Sequence, residues 1–261
     1  MDVTLNSMPD EEPLVCLFAK LRWCSLPDKT GGMFKSLLAI CVFVVAASSL
    51  TAGEKETLFN GSNLNAWEFR DGAWVVGEDG SMTCKMEKVK AKNGKVRVRG
   101  MGYAWTKKKY SDFELSLSYK LSEGANSGVF YRTDKDNPVN GGFEIQLMDN
   151  EGFQKTHGKK DAKKLNGSFY DAKAPSSNPA KPVGEWNTFK LICKGPRVRL
   201  SINGVQVFDV NVDDWETAGL NPDGTKNKFR TALKDLPRTG LIGLQNHGQV
   251  VWFKDVVIRS L

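Results

Sequence analysis

The tightest constraint on this chain is an apolar–polar alternation that returns segment after segment and leaves little room for helix. In "DFELSLSYKL", Phe113, Leu115, Leu117, Tyr119 and Leu121 share one face, and Glu114, Ser116, Ser118 and Lys120 share the other. A period of two marks a strand with one buried side. "WNTFKLICKGPRVRLSINGVQVFDV" reads as a three-strand meander that turns at residues 194–196 and again at Asn203-Gly204. Asn-Gly suits a tight hairpin because both residues tolerate positive φ. "VVWFKDVVIRSL" supplies a final strand. Helical spacing is confined to "NKFRTALKDLP", with Phe229, Ala232, Leu233 and Leu236 at i, i+3, i+4 and i+7, and to a short turn in "DDWETAGL" (213–220). Many short strands, Gly/Asn/Asp turns and one or two short helices specify an all-β antiparallel β-sandwich.

The N-terminal region stands apart. "MFKSLLAICVFVVAASSLTAG", from Met33, has the charge, apolar run and small residues of a secretory signal. Its run from Leu37 to Ala47 is too short to span a bilayer as a mature helix. Residues 1–32 then read as a mis-called start, 33–52 as a signal peptide and 53–261 as a single domain that is secreted or periplasmic. The competing reading is a true extension ahead of an internal anchor helix. Between Met148 and Trp186 runs a long Gly, Lys, Asn and Pro-rich stretch with a short island, "GSFYD" (167–171). Loops of that length inside a domain tend to be functional lids or disordered segments.

Charge and cysteine usage narrow the partners. The chain carries 37 Lys and Arg against 30 Asp and Glu, net +7. The excess lies in short clusters at 107–109, 159–160 and 163–164, without a nucleic-acid motif or interleaved aromatics, so nucleic acid is not an expected partner. Nor is stable membrane insertion once the signal is removed. Cys84 and Cys193 are the two of five cysteines beyond residue 52; a disulfide after export and buried free thiols are both open. With two histidines, His157 and His247, no metal ligands are assigned. A divalent cation held by carboxylates and carbonyls is the one cofactor left open.

"GGFEIQLMDN" (141–150) points Phe143, Ile145 and Leu147 into the core and Glu144, Gln146 and Met148 to the opposite face. The same parity in "GLIGLQNHG" sets Gln245 and His247 opposite Ile242 and Leu244. In "NSGVFYRT" it sets Phe130 and Arg132 opposite Val129 and Tyr131. If these strands neighbour one another, their non-core faces line a groove suited to a sugar. Amides and charges would meet hydroxyls, and Phe130, Tyr170 or Trp252 would offer a stacking face. Glu144 and His247 are the proton-transfer candidates and Arg132 the candidate to steady an oxyanion. A solvated strand face explains each residue singly; their conjunction is what points to a site.

The ordered set "LFNGSNLNAWE", "WVVGEDGSMTC", "FELSLSYKLSEGANSGVFYR", "GFEIQLMDN", "GSFYD", "GEWNTFKLICKGPRVRLSINGVQV" and "GLIGLQNHGQVVWFKDVVI" resembles the 3-keto-disaccharide hydrolase domain family of secreted bacterial proteins. The resemblance runs from about Thr57 to Ile258 and implies a concanavalin A-like (lectin/glucanase) jelly roll acting on glycosides oxidised to a ketone at C3. By position, Asn126, Arg132, Glu144, Gln146, Gln245 and His247 match the family's recurrent polar residues. Two features depart from it: Lys254-Asp255 stands where Arg-Asn is usual, and His157 has no counterpart. A C3 ketone acidifies C2–H, so one base can start an elimination at C1 that water completes, without the paired carboxylates of an ordinary glycosidase. In that scheme Glu144 or His247 is the base, Arg132 or a bound cation steadies the enolate, and Asn126, Gln146, Gln245, Tyr170 and Phe130 hold the sugar. The competing readings are a non-catalytic carbohydrate-binding module and a two-carboxylate glycosidase using Asp149 or Glu114.

Overall fold

Alternation becomes layers in the computed structural model, which describes residues 53–261; the readings of residues 1–52 lie outside the described residues. Along the chain the strands are β1 (Lys55–Phe59), β2 (Trp67–Glu68), β3 (Trp74–Val76), β4 (Met82–Cys84), β5 (Met86–Lys90), β6 (Val96–Gly100), β7 (Ala104–Thr106) and β8 (Phe113–Leu121). Next come β9 (Asn126–Thr133), β10 (Phe143–Met148) and the helix α1 (Asn150–His157). The series ends with β11 (Asn187–Lys194), β12 (Arg197–Ile202), β13 (Val205–Asn211), β14 (Leu241–Leu244) and β15 (Val251–Ser260). Eight strands form one sheet in the order β13-β12-β11-β8-β15-β4-β3, with β1 also paired to β15. Five form a second in the order β10-β9-β14-β7-β2, and β5-β6 is a separate hairpin. Every pairing between these strands is antiparallel, so the expected all-β sandwich is what the chain forms.

β8 buries every second residue along its length, as the alternation demands. The predicted meander is present as β11-β12-β13, and Asn203 (φ 50°) and Gly204 (φ 79°) both take left-handed geometry in its second turn. A run of aromatic contacts then knits the layers together. Phe113 of the large sheet meets Tyr131 edge-on at 6.5 Å, Tyr131 lies 5.3 Å from Phe143, and Phe143 lies 5.6 Å from Phe169. Phe169 in turn stacks on Phe208 at 6.1 Å, returning to the large sheet. Such pairs contribute about 0.5–1.5 kcal/mol each beyond area burial. β15 carries a bulge at Asp255 (φ 53°), between its pairings Lys254↔Ser118 and Val257↔Ser116. One edge of β15 holds β8 throughout; the other holds β4 at Trp252–Phe253 and β1 at Val256–Arg259.

The helices fall elsewhere than the periodicity placed them. Phe229, Ala232, Leu233 and Leu236 are all buried, but only Leu233–Asp235 turns, as a single 3-10 turn. Ala232 (ψ 139°) and Leu236 (ψ 152°) on either side of it are outside helical geometry, so the turn does not extend. Likewise "DDWETAGL" contributes only the end of a 3-10 turn over Val212–Asp214. The α-helix that does form, α1, buries just Gly152 and Phe153 and so has no apolar stripe to betray it. Its signal is the cap: Asp149 accepts from the Gly152 N–H, and its second oxygen accepts from the Gly124 N–H at 2.8 Å.

Candidate active site

The non-core face of β10 is not wet. All six residues of β10 are buried, Glu144 and Gln146 included. β10 pairs with β9 in the register Glu144↔Phe130 and Gln146↔Gly128, and β14 flanks β9 on its far side. Beyond β10, the island at 167–171 adds a further edge. The Tyr170 N–H donates to the Glu144 carbonyl at 2.9 Å, and the Gly167 N–H donates to the Gln146 carbonyl at 2.8 Å. Glycine makes room on this floor. A Cβ at Gly128 would sit 2.6 Å from Glu144 Oε1, and one at Gly243 would sit 2.1 Å from the Trp105 ring. The two bare positions therefore let Glu144 and Trp105 lie flat across neighbouring strands.

Glu144 is the centre of the resulting cluster. Gln245 Nε2 donates to its Oε1 at 3.2 Å and also reaches the Tyr103 hydroxyl at 3.4 Å. Lys228 Nζ stands 3.4 Å from Oε2. Burial pushes the Glu144 carboxyl above the usual carboxylate range, opposed by Lys228, Gln245 and the more distant Lys160. Burial likewise lowers the Lys228 ammonium, opposed by Glu144 and by Asp171. Desolvation outweighs their mutual attraction in both groups, which brings the two proton affinities toward each other. Gln245 Oε1 is buried with no hydrogen-bond partner among the described residues. A buried amide oxygen left without a partner costs about 1–3 kcal/mol, which a ligand hydroxyl would relieve.

His247 is exposed, three residues beyond β14, the strand that leads into Gln245. Crowding by surrounding protein, then the charge of Lys160, holds its imidazole below the usual histidine range. Lys160 also bears on Glu144, so one ammonium acts on both proton-transfer candidates, although the His247 ring makes no hydrogen bond to Glu144. Lys160 lies 4.3 Å over the Phe153 ring, which stacks on His157 at 4.1 Å. His157 therefore supports the ring over which Lys160 lies.

The other candidates divide. Gln146 spends its amide N–H groups on Asn126 Oδ1 (2.7 Å) and the Ser127 carbonyl (2.8 Å), so these two residues brace the floor. Tyr170 is half-buried beside Glu144, its ring 4.4 Å below Lys228 Nζ. Phe130 is fully buried beneath Tyr103 (5.5 Å, stacked) and Trp105 (5.9 Å) and has no free face. Tyr103 is the partly exposed ring in its place. Trp252 belongs to the eight-stranded sheet, where Lys120 lies over it at 4.7 Å.

Arg132 is not part of the cluster. β9 gains a residue opposite β14 between Phe130 and Thr133, and Arg132 takes a φ of 49° there. The bulge breaks the strict alternation. Its guanidinium is buried at the end of the sandwich, donating to the Ser111 and Gly195 carbonyls at 2.9 and 2.8 Å and to Asp112 at 3.0 Å. Sequence reasoning placed Arg132 in the site and missed Lys228, Lys160 and Tyr103. Lys228 lies in an irregular segment, and no spacing ties it to β10.

The two carboxylates weighed as second acids also lie elsewhere. Asp149 is committed to capping α1, and Glu114 pairs with Lys190 at 3.2 Å on the large sheet. Among the described residues no three His, Cys, Asp or Glu side chains group as metal ligands. Cys84 and Cys193 are both buried free thiols. No helix among the described residues is long and apolar enough to cross a membrane. Five of the surface cavities among the described residues, of about 260–530 Å³, are lined by residues other than Glu144, Gln245 and Lys228.

Comparison with known proteins supplies the lineage. The chain is 27% identical, over 95% of its length and 98% of the relative's, to a Bacteroides thetaiotaomicron protein named 3-keto-disaccharide hydrolase. A glycosyl hydrolase assignment accompanies two crystal structures from Parabacteroides distasonis. One is 29% identical with a TM-score of 0.68 over 80% of this chain and 100% of its own; the other is 25% identical with a TM-score of 0.62 over 80% and 94%. Residues 54–259 match the model of the 3-keto-alpha-glucoside-1,2-lyase-like domain, and the chain belongs to that family.

Proposed function

We propose that the protein cleaves glycosides carrying a ketone at C3, by removing the C2 proton, expelling the C1 substituent and adding water. The observation that carries this reading is the Glu144 carboxylate: buried, fixed by Gln245 and raised in proton affinity. A base of that kind is suited to a carbon acid near neutral pH. The ketone makes C2–H acidic. Glu144 takes that proton and the C2–H electrons form an enolate on C3. Collapse of the enolate forms the C1–C2 double bond and breaks C1–O, and the proton held by Glu144 passes to the departing oxygen. His247, neutral and exposed, activates the water that adds at C1, and C2 regains a proton. Gln245 Oε1 accepts from a sugar hydroxyl, and Tyr103 and Tyr170 flank the ring.

A two-carboxylate glycosidase is disfavoured by the places of Asp149 and Glu114, because that chemistry needs two carboxyl groups about 5–9.5 Å apart across the scissile bond. The deciding experiment pairs a glucoside with its 3-keto counterpart and follows aglycone release. The proposal expects release from the ketone alone, and its loss in Glu144→Gln. Binding of both sugars without product would make the domain a carbohydrate-binding module instead. We also infer export to the periplasm or medium from the signal-like segment 33–52, tested by fractionation and by sequencing the N-terminus of the mature chain.

A further inference from the structure

Removal of Arg132 from the cluster leaves the enolate without a counter-charge, and Lys228 stands where one is needed. Its loop is built, not loose. Asn221 is buried at its hub, where Oδ1 accepts from Trp215 Nε1 at 2.8 Å and from Asn227 Nδ2 at 3.0 Å, and Nδ2 donates to Thr225 Oγ1 at 3.0 Å. The Asn227 N–H donates to the Gly219 carbonyl, and Asn227 Oδ1 accepts from the Phe229 N–H. Phe229 is core, 2% exposed, so the residue before it is anchored on both sides. The Lys228 side chain is only 18% exposed and lies on the Tyr170 ring at 4.4 Å and near the Phe229 ring at 5.3 Å. An exposed pair of lysine and glutamate is worth little and costs side-chain entropy. A lysine held by two rings and an organised loop, 3.4 Å from a buried carboxylate, is placed by more than that pairing.

Resting on the reading of Glu144 as base, we propose that Lys228 is a catalytic residue that donates a hydrogen bond to the C3 carbonyl oxygen of the substrate and holds the enolate charge as it forms. In an α-keto C–H acid the proton that leaves and the oxygen that becomes negative belong to adjacent carbons. A base and a cation side by side serve both at once. No bond to Lys228 forms or breaks: the C2 proton goes to Glu144, the electron pair moves to the C3 oxygen, and the ammonium keeps its protons. The neighbouring groups that set its charge are Glu144, Asp171 and Lys164.

The test separates this step from the base itself. Turnover of a 3-keto-glucoside and wash-in of deuterium at its C2, followed by NMR, are measured for wild type, Glu144→Gln, Lys228→Met and Lys228→Arg. Loss of one preorganised oxyanion donor costs about 10²–10³ in kcat. Lys228→Met is expected to lose that much in both turnover and C2 exchange, with KM changed only a few-fold and the alkaline limb of the pH–rate profile gone; Lys228→Arg recovers part of it. Turnover by Lys228→Met within threefold of wild type overturns the proposal, as does borohydride trapping of substrate on Lys228, which would make it a nucleophile. If Lys228→Met does not fold, Lys228→Arg and Lys228→Gln decide: equal rates in these two overturn the charge role. Full C2 exchange in Glu144→Gln would sink the base reading separately.

Discussion

A single methyl group at Gly128 should separate activity from stability. Gly128 is not among the positive-φ residues, so alanine meets no backbone strain there. Its Cβ would lie 2.6 Å from Glu144 Oε1 and 3.2 Å from Glu144 Cγ. Ordinary contact needs about 3.5–4.0 Å, so the carboxylate must retreat by about 1 Å. A misplacement of that size at a reacting group costs about 10²-fold in rate. The stability cost is small, because the displaced atoms are the tip of a side chain. Overpacking of about 1–3 kcal/mol at its low end, less about 0.4–1 kcal/mol from a stiffer unfolded chain, leaves a loss of about 0.5 kcal/mol or less. For a domain of this size that lowers Tm by about 2 °C or less. Aglycone release from a 3-keto-glucoside and a thermal melt measure the two effects. A Gly128→Ala variant with wild-type kcat/KM would refute the placement of Glu144 as the reacting base.

Arg132→Met should behave oppositely: losing the buried guanidinium costs about 3 kcal/mol or more, a Tm drop near 10 °C, while kcat of the folded fraction stays within a few-fold. The pH–rate profile should rise with an acid limb above the ordinary carboxylate value, as Glu144 ionises, and fall below the ordinary lysine range as Lys228 loses its proton. A raised carboxyl also binds its proton more tightly folded than unfolded. Its stability contribution is therefore full in acid and lost as pH rises through the raised value; melts across that window should show the loss in wild type and not in Glu144→Gln. Burial pushes the Cys193 thiol up to about 12 and raises Cys84 as well, so a thiol reagent should spare both in native protein, label them on unfolding, and reductant should leave Tm unchanged.

Parity was a sound guide wherever strands stayed regular. It placed Glu144, Gln146 and Gln245 on one face, and the register Gln146↔Gly128 shows why it worked: each step along β10 is matched by one along β9. It failed at Arg132, because a bulge is set by the partner strand and leaves no mark in "VFYRT". It failed again at Phe130, whose face is right but whose ring is roofed by Tyr103 and Trp105. A solvated face does not exist on β10 either, since all six of its residues are buried. Lys228 reaches Glu144 through a loop organised around Asn221, and that organisation is tertiary. The spacing of Phe229, Ala232, Leu233 and Leu236 was honest about burial and misleading about helix, since an irregular segment can also bury every third or fourth residue.

The bulged strand β15 has a consequence for how the molecule comes into being. Among the described residues β1 pairs with β15 and with no other strand, β4 takes its second neighbour from it, and β8 has one edge against it. A ribosome makes β1 first and β15 last among these strands, so the large sheet stays split until Val251–Ser260 emerge. Pairings this distant along the chain are slow to close. An emerging polypeptide cannot seal this sheet early, and truncation ahead of Val251, which removes all ten residues of β15, should leave raw edges on β1, β4 and β8 open to aggregation.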